Sequence, residues 1–361
     1  MPSNPVPQER KRPTLADVAA RAGVSTALVS VVMRGAKGAG AATRERVLAA
    51  AREIGYRPDT RARLLRSSRS RLLGVQFGLR HPFHADLVEA VYGAAESAGY
   101  QVALSGVAPS RSEQQALEAL LADRCEALIL LGPELPAARL TELAEQVPVV
   151  SVARGLRGPA GAVEVVRTAD DEGARQAVDH LAGLGHRAIV HVDGGRAPGA
   201  ADRRRGYRTA MKRHGLAGHT RVVPGGPNEE AGAAATRALL DGGARPTAVL
   251  AFNDQCATGV LDTLLRSGVP VPGEVSVVGF DDSRLARLAH VDLTTVGQDV
   301  PSLAREAVAR AVRRLEAEAG GPEAPGGAEA PGGASVPDGR ETVVAPRLVV
   351  RSTTAAPRDR T

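Results

Sequence analysis

The residues best suited to chemistry in this sequence are the arginines and lysines gathered at its N-terminal end. Residues 1–73 hold 15 Lys and Arg against 5 Asp and Glu, a balance of +10, whereas the rest of the chain has a balance of −4. A cationic segment of this kind attracts the phosphate backbone of nucleic acids. The charge distribution predicts a nucleic-acid-binding head on a body with another task, and a solvated basic tail is the alternative on charge alone.

Nucleophiles and metal ligands show no comparable pattern. The sequence lacks GxxxxGK[ST], a GxGxxG turn after a strand, GxSxG and HExxH,. Cys125 and Cys256 stand alone in apolar surroundings, and we expect both to be buried and reduced. His81 and His84 flank Pro82-Phe83 with no paired carboxylate beside them, which favours a surface or cleft-lining position. The sequence thus predicts no catalytic residue, no metal site and no cofactor.

A helix-turn-helix signature begins at Leu15. This motif needs a small residue where its two helices cross, a glycine at the turn and an apolar residue that locks the second helix. Ala19, Gly23 and Val29 fall at those three places. Glycine suits the turn because it adopts the left-handed conformation without steric cost.

Caps and apolar spacing divide residues 14–56 into three short helices. Thr14 followed by Asp17 is a capping-box-like start, and Ser25 suits the cap of a second helix that ends near residue 33,. A third helix is predicted over about 42–54, where apolar residues recur at helical spacing.

Two basic segments flank these helices. Residues 1–13 carry four prolines and a charged run, which predicts a flexible basic arm,. Residues 57–71 are rich in arginine, with Leu64 and Leu65 as their large apolar residues. Because so little apolar surface cannot stabilise an isolated helix, this segment is predicted to be a linker that folds on DNA.

From Leu72 onward, short apolar strands alternate with amphipathic helices. The predicted strands are 72–77, 101–104, 127–131, 148–152, 188–192, 222–223, 248–252, 275–279 and 347–350, and the predicted helices include 85–98, 112–122, 136–146 and 301–318. Repeated βα units of this length imply parallel sheets covered by helices. Residues 320–339, with 7 Gly, 4 Pro and EAPGGA twice in tandem, predict a flexible low-complexity insertion before the last strand,.

The head resembles that of the LacI/GalR family of bacterial transcriptional regulators, since it reads TLADVAARAGVSTALVSVVMRG and then TRERVLAAAREIGYRPDTRARLL. The resemblance continues, in the family's order and spacing, through VDHLAGLGHRAIVHV, RRRGYRTAM, PTAVLAFNDQCATGVLDTLLRSGVPVPGEVSVVGFDD and LTTVGQDV. It covers residues 14 to 353. It implies an all-α helix-turn-helix head and an α/β two-lobed, periplasmic-binding-protein-like effector domain with parallel sheets. It also implies a homodimer that binds double-stranded operator DNA and, in its cleft, a small-molecule effector such as a sugar or related metabolite.

By this resemblance, the DNA contacts come from the start of the first helix, the second helix and the loop after it, the third helix and the linker. They are Thr14, Ser25, Thr26, Ala27, Ser30, Val31, Arg34, Thr43, Arg44 and Leu65. Hydroxyl groups commonly position a protein on phosphates, so Ser25 and Ser30 are expected at the DNA backbone. Leu65 matches the leucine that the family wedges between base pairs in the minor groove, and a small dimer contact is the alternative for it.

The same resemblance assigns six residues to the effector cleft: Phe83, Asp170, Arg203, Asn253, Asp254 and Asp281. Arg203 offers a bidentate fork to a carboxylate or a diol, although it begins a run of three arginines of which at least one is expected to face solvent. Asn253 and Asp254 follow a predicted buried strand, where side chains point into a cleft, and a helix cap is the alternative for Asp254. Asp281 follows a strand in the same way, with Asp282 as the solvated alternative.

Two positions depart from the family's pattern. Ala153 stands where many sugar-responsive members have an aspartate, and Val31 stands where many members have an arginine in the recognition helix. The first departure bears on which effector is bound, and the second bears on which operator sequence is read.

These observations together predict four segments and a location. The segments are a basic arm at 1–13, a helix-turn-helix domain at 14–58, a hinge at 59–71 and an effector and dimerisation domain at 72–361. A cytoplasmic protein without a membrane partner is expected, because no run of about 18 apolar residues and no signal-like N-terminus is present. The alternatives are an enzyme of the same α/β class, which lacks the motifs above, and a solute-binding protein, for which residues 14–71 would have no role.

Overall fold

The structure, a computed structural model, describes residues 13–33, 35–56, 69–156, 162–242, 246–318 and 339–358. The chain divides into two compact units, Met1–Ser70 and Arg71–Thr361. The predicted all-α head and the predicted two-lobed α/β body with parallel sheets are both confirmed.

The head consists of α1 (Leu15–Ala22), α2 (Thr26–Met33) and α3 (Ala41–Glu53). The predicted capping box is present at the start of α1: the Thr14 backbone N–H donates to Asp17 Oδ2 at 2.7 Å, and the Asp17 N–H donates to Thr14 Oγ1 at 3.4 Å. Gly23 ends the helix with φ +66°, the left-handed conformation that the turn requires,. Small side chains fill the core between the helices, and they are Val18, Ala19, Ala22, Val29, Val32, Val47, Ala50 and Ala51.

The first lobe of the body, lobe 1, is built on a parallel sheet. Its strands are β1 (Leu72–Gly78), β2 (Gln101–Val107), β3 (Ala127–Leu131), β4 (Val149–Val152), β5 (Glu164–Thr168) and β11 (Glu341–Val344). Their order is β11-β5-β4-β3-β1-β2, and each neighbouring pair is parallel. The helices of this lobe are α4 (Pro82–Ser97), α5 (Glu113–Ala122), α6 (Ala137–Ala144) and α11 (Val300–Glu318).

Lobe 2 repeats the arrangement with a second sheet. Its strands are β6 (Ile189–Val192), β7 (Arg221–Val223), β8 (Ala248–Ala251), β9 (Ser276–Asp281), β10 (Thr294–Gly297) and β12 (Arg347–Val349), in the order β12-β10-β9-β8-β6-β7. The edge strand β12 runs antiparallel to β10, and the other pairs are parallel. The helices are α7 (Asp170–Gly183), α8 (Ala200–Arg213), α9 (Glu229–Asp241) and α10 (Asp254–Arg266).

The chain passes between the lobes at 168–170, 297–300 and 344–347 within the described ranges. These passages place the carboxyl ends of strands from both sheets around one cleft, where open α/β sheets usually bind ligands. The sequence reading missed β5, β10 and β11. Each is short, and each carries polar or small residues in place of an apolar run, such as EVVRT for β5 and ETVV for β11.

Cys125 and Cys256 are buried free thiols, as predicted. Most of the predicted basic arm, the linker and the low-complexity insertion lies outside the described residues. In the described part of the chain no single helix is long and apolar enough to cross a membrane; α1 and α2 reach that length only as a pair that bends by 105°.

Candidate functional sites

One face of α2 is open to solvent in the head. Ser25, Thr26 and Ala27 are exposed at the start of this helix, and Ser30 and Val31 are partly exposed one turn later. Ser25 also caps the helix, because its Oγ accepts from the Leu28 N–H at 3.3 Å. The buried side of α2 is apolar, so the exposed face is held in place by the core beneath it.

The remaining residues of the head that were predicted to contact DNA differ in whether their side chains already make hydrogen bonds within the protein. Thr14 Oγ1 donates to Asp17 Oδ2 at 2.7 Å within the capping box. Thr43 and Arg44 are half-buried in the first turn of α3, and Arg44 Nη2 donates to the Ala36 carbonyl at 2.7 Å, which ties α3 to the loop after α2. Arg34 and Leu65 lie outside the described residues.

A cavity of about 250 Å³ lies between the two lobes of the body. Lobe 1 contributes Gln76, Gly78, His81, Phe83, His84, Val107, Glu113, Leu131, Gly132, Glu134 and Ala153 to its lining. Lobe 2 contributes Ala197, Pro198, Arg203, Phe252, Asn253, Asp281 and Gln298. Four of the predicted cleft residues therefore meet here, namely Phe83, Arg203, Asn253 and Asp281.

Arg203 is the best-held side chain of the lining. Its Nε donates to Asp170 Oδ1 at 2.7 Å, and its Nη1 donates to the Phe252 carbonyl at 2.8 Å. Its Nη2 lies 3.6 Å from Asp281 Oδ1, and the guanidinium carbon lies 3.6 Å from the centre of the Phe280 ring. The side chain is buried, whereas the third residue of the same arginine run, Arg205, is exposed. The guanidinium is thus fixed in one orientation by a carboxylate, a carbonyl and an aromatic face.

Asp281 connects this arginine to a passage between the lobes. Gln298 Nε2 donates to Asp281 Oδ1 at 2.7 Å, and Gln298 Oε1 accepts from Thr168 Oγ1 at 2.5 Å. Thr168 ends β5 in lobe 1, whereas Gln298 follows β10 in lobe 2. Asp281 has φ +116°, a conformation that costs free energy in a residue other than glycine and that clusters at functional sites,. Burial raises the pKa of Asp281, and the nearby Arg203 opposes that rise.

Asp254 and Asp170 lie behind the cavity wall. Asp254 Oδ2 accepts from the Ser283 N–H and Oγ at 2.7 and 2.9 Å, and its Oδ1 accepts from Thr295 Oγ1 at 2.5 Å. Burial, with the negative charge of Asp281, raises the pKa of Asp254. Both carboxylates therefore brace other residues of lobe 2, and the structure does not bring either one into the cavity lining.

His84 has a defined protonation state on the lobe 1 side. Its Nδ1 accepts from the Gly78 N–H at 2.9 Å, so the neutral ring carries its proton on Nε2,. Burial and the stacked His81 ring, 4.6 Å away, lower the pKa of His84 to about 3. Gly132, which has φ +54°, packs against Nε2 of His84. A Cβ at this position would lie 3.1 Å from Nε2.

Sequence reasoning missed several cavity residues, chiefly Gln76, Glu113, Glu134 and Gln298. Gln76 gives the clearest signal, because it interrupts the apolar strand LLGVQFG and is only 3 % exposed. Glu113 could not be assigned from spacing, because it meets residues 134 and 135 through a contact that spans more than 20 positions. Among the described residues, no group of three or more His, Cys, Asp or Glu side chains could hold a metal ion.

Comparison with family models gives two matches. Residues 14–59 match the model of bacterial regulatory proteins of the lacI family, and residues 178–354 match a periplasmic binding protein-like domain. The first match covers the three helices of the head, and the second runs from the second half of α7 through the rest of lobe 2 and includes α11 and β11.

Individual proteins are similar over most of the chain. The HTH-type transcriptional regulator GalR of Escherichia coli K12 is 34% identical over 299 residues, 81% of this chain and 87% of GalR. The lac repressor dimer bound to operator and the anti-inducer ONPF superposes with a TM-score of 0.77 at 29% identity, covering 96% of this chain and 100% of that one. A complex of the regulator CelR with cellobiose gives a TM-score of 0.65 at 30% identity, with coverage of 95% and 100%.

Proposed function

The chain belongs to the LacI family of bacterial regulatory proteins, and we propose that it is a repressor of transcription whose affinity for operator DNA is set by a small molecule. One observation carries the proposal: a basic helix-turn-helix head and a two-lobed cavity with an immobilised arginine occur in the same chain. A DNA-binding unit and a ligand-binding unit joined in one polypeptide are what a ligand-controlled switch requires.

In this proposal the exposed face of α2 enters the major groove. Thr26, Ala27 and Val31 present methyl groups and a single hydroxyl, which suit the thymine C5-methyl better than a guanine edge. Ser25, Ser30, Thr43 and Arg44 hold the DNA backbone, together with Thr14 and Arg34, and Leu65 enters the minor groove. The segments that act are the arm at 1–13, the head at 14–58, the hinge at 59–71 and the effector domain at 72–361.

The effector occupies the cavity between the lobes, and a sugar or related metabolite is proposed for it. Phe83, Arg203, Asn253 and Asp281 contact it, while Asp170 holds Arg203 in position and Asp254 braces the loop after β9 through Ser283. The cellobiose complex of CelR supports a sugar, because that regulator resembles this chain over nearly its whole length. Binding there changes the angle between the lobes, and by reciprocity operator DNA changes the affinity for the effector by the same factor.

The proposed assembly is a homodimer in the cytoplasm. A dimer with two-fold symmetry presents two heads, so its operator is an inverted repeat. The relatives named above are transcriptional regulators, and regulators of this kind are not enzymes. We therefore propose that the protein acts by binding alone and catalyses no reaction.

Gel shifts with the DNA upstream of the protein's own gene test the proposal. The full chain should shift this DNA, and the logarithm of its affinity should fall with the logarithm of salt by about 0.9 per neutralised phosphate. A fragment of residues 72–361 should unfold cooperatively on heating and leave the DNA unshifted. A fragment that shifts the DNA as well as the full chain does would show that the head is not the DNA-binding unit.

A further inference from the structure

Two buried oxygens in the cavity lack a hydrogen-bond partner. They are Gln76 Oε1 and Glu113 Oε1, and both side chains line the lobe 1 wall. Buried polar atoms in folded proteins are almost always paired, so an orphaned acceptor at a cavity surface indicates a partner that binds there. Within the described residues, no other cavity-lining side chain leaves a buried oxygen unpaired.

Gln76 is rigidly presented. It lies inside β1, where it is paired in register with Ser105 of β2 on one side and Leu130 of β3 on the other. Its side chain is only 3 % exposed. An amide placed in the middle of a buried parallel strand contributes nothing to an apolar core, so its presence calls for a bonding partner that arrives from the cavity.

Glu113 is half-engaged by the protein. Its Oε2 accepts from the backbone N–H groups of Glu134 and Leu135, both at 3.0 Å, which fixes the carboxylate against the loop after β3. Its Oε1 is buried and has no hydrogen-bond partner. A ligand that meets Gln76 Oε1 and the ionised Glu113 Oε1 must bring donors, because an amide oxygen and a carboxylate oxygen accept hydrogen bonds only.

The charge of the lining restricts the ligand further. Carboxylates of Glu113, Glu134 and Asp281 surround the cavity, whereas its cation, Arg203, is already bonded to Asp170. His81 and His84 add no positive charge, since burial lowers the pKa of each. Arg154 acts on Glu113 from outside the lining, where the Pro133 and Leu135 carbonyls hold its guanidinium. Among the described lining residues, a carboxylate or phosphate ester would therefore meet three acidic side chains and no unengaged cation,.

We propose that Gln76 and Glu113 are ligand-recognising residues of this cavity, and that they select neutral or cationic ligands with hydroxyl or amino donors over acids. The inference rests on the proposed function of the cavity as the effector site. It adds two residues that recognise the effector, and it specifies the charge of the effector. Glucosamine-like or neutral saccharides fit this class, and sugar acids and sugar phosphates do not.

Matched sugars test the charge class on the full-length protein. The probes are galactose, galactosamine and galacturonate, then glucose, glucosamine and glucuronate, and cellobiose, each titrated by calorimetry and thermal shift. We expect binding within the neutral and amino members, with each acid at least tenfold weaker than its neutral counterpart. Acids that bind as well as the neutral sugars, or a panel in which nothing binds, would overturn the assignment of the ligand class.

The variant Glu113→Gln tests the residue assignment. An amide oxygen still accepts from residues 134 and 135, while the orphaned acceptor becomes an NH₂ donor. Affinity for the tightest sugar of the panel should fall about tenfold or more, with the ligand-free melting temperature retained. The control is Glu118→Gln, an exposed glutamate on the same helix that bonds Gln114.

A second variant separates recognition from a structural role. Gln76→Met keeps the volume and removes the unpaired oxygen, so the ligand-free protein should melt no lower than wild type while sugar affinity falls. Unchanged affinity in both variants, or a loss explained by lower melting temperatures, overturns the inference. Gel shifts with the upstream DNA should be the same for both variants and wild type without sugar, so a failure of DNA binding is read separately.

Discussion

The two walls of the cavity are built on opposite plans. On the lobe 2 side the polar groups bond to one another: Arg203 to Asp170 and the Phe252 carbonyl, Gln298 to Asp281, and Asp254 to Ser283 and Thr295. On the lobe 1 side, Gln76 and Glu113 each keep an oxygen unpaired. The lobe 2 wall, whose polar groups bond to one another, is rigid before the ligand binds. The unpaired oxygens of the lobe 1 wall gain their hydrogen bonds from the ligand.

This difference assigns separate tasks to lobes of the same architecture. Lobe 2 holds its ligand-facing groups in fixed geometry, which reduces the ordering that binding requires. Lobe 1 gains more from the ligand than lobe 2 does, because its buried acceptors find donors only when the cavity is filled. Removing a bonded group such as Arg203 from lobe 2 should therefore damage the fold as well as binding, whereas removing the unpaired oxygen of Gln76 or Glu113 from lobe 1 should damage binding alone.

The largest effect is expected at Arg203. Arg203→Ala leaves Asp170 and Asp281 buried without their cation, which should lower the free energy of unfolding by about 3–5 kcal/mol. Chemical denaturation measures this loss, and calorimetry with the panel sugars should show no binding. Arg205→Ala is the control, because the exposed pairs of Arg205 with Asp171 and Asp202 should contribute no more than about 1 kcal/mol,. Equal losses in both variants would remove the distinction between a buried clamp and a surface pair.

The next effect is a pH dependence of stability to which His84 of lobe 1 contributes. The pKa of His84 is lowered from its ordinary 6.5 to about 3, so the unfolded chain takes up a proton below pH 6.5 that the folded chain refuses. Stability is thus lost as pH falls from 6.5 towards 3, by about 2 kcal/mol at pH 5 for one such group. In His84→Asn an amide oxygen replaces Nδ1 as acceptor for the Gly78 N–H, and this loss should disappear.

Unfolding curves at pH 7 and pH 5 give the comparison. The matched control is His290→Asn, an exposed histidine of lobe 2, which should keep the wild-type acid dependence. His81, stacked on His84, and three histidines of lobe 2, His180, His186 and His191, also have pKa values lowered by burial. They add contributions of the same sign that both variants retain. If the His84 variant loses as much stability as wild type between the two pH values, the ring is not held neutral by its surroundings.

A smaller effect is expected from alanine substitutions at two glycines, one beside the cavity and one in open space, which distinguish backbone strain from contact with the cavity wall. Gly132 in lobe 1 and Gly195 in lobe 2 have φ of +54° and +65°, so alanine at either costs about 1–2 kcal/mol,. A Cβ at Gly195 meets open space, but at Gly132 it lies 3.1 Å from His84 Nε2. Gly132→Ala should therefore lower the melting temperature more than Gly195→Ala and should also weaken sugar binding. Identical behaviour in calorimetry and thermal unfolding would place His84 outside the binding wall.

The sequence predicted lobe 2's part of the site better than lobe 1's part, for a physical reason. Asn253 and Asp281 stand at the ends of apolar strands, and Arg203 lies in a family-like run, so local pattern marks them. Gln76 and Glu113 acquire their role through tertiary contacts: a neighbouring strand pair and a loop more than 20 residues away.

Position at the end of a strand also predicted Asp254 as a cavity residue, whereas the structure places it behind the cavity wall. Asp254 follows its strand as Asn253 does, yet its carboxylate turns to Ser283 and Thr295 instead of the cavity. Asn253 takes the capping role that had been the alternative for Asp254, since its Oδ1 accepts from the Cys256 N–H at 2.8 Å. Position along a strand end fixes the neighbourhood of a side chain, but its direction depends on which donors surround it.

The smallest effect is expected where the two lobes touch outside the cavity. Arg284, in the loop after β9 of lobe 2, donates from Nη2 to Glu89 Oε2 at 2.7 Å, and its Nε lies 3.3 Å from Asp86 Oδ1. Both acids belong to α4 of lobe 1. The arginine side chain is 74 % exposed, so solvent and salt screen the pair and its contribution is about 1 kcal/mol or less,.

Arg284→Ala should nevertheless act on binding, because the pair holds together two lobes that must enclose the ligand. A loss of up to 1 kcal/mol from the enclosed arrangement lowers the affinity for the tightest panel sugar by about fivefold at most. High salt should weaken wild type towards the variant and leave the variant nearly unchanged. Arg266→Ala is the control, since this exposed arginine of lobe 2 pairs with Asp262 within α10. If the control weakens sugar binding equally, or if salt leaves the wild-type affinity unaltered, the contact between the lobes contributes nothing to closure, and the ligand itself, through Gln76 and Glu113, must join the unsatisfied wall to the satisfied one.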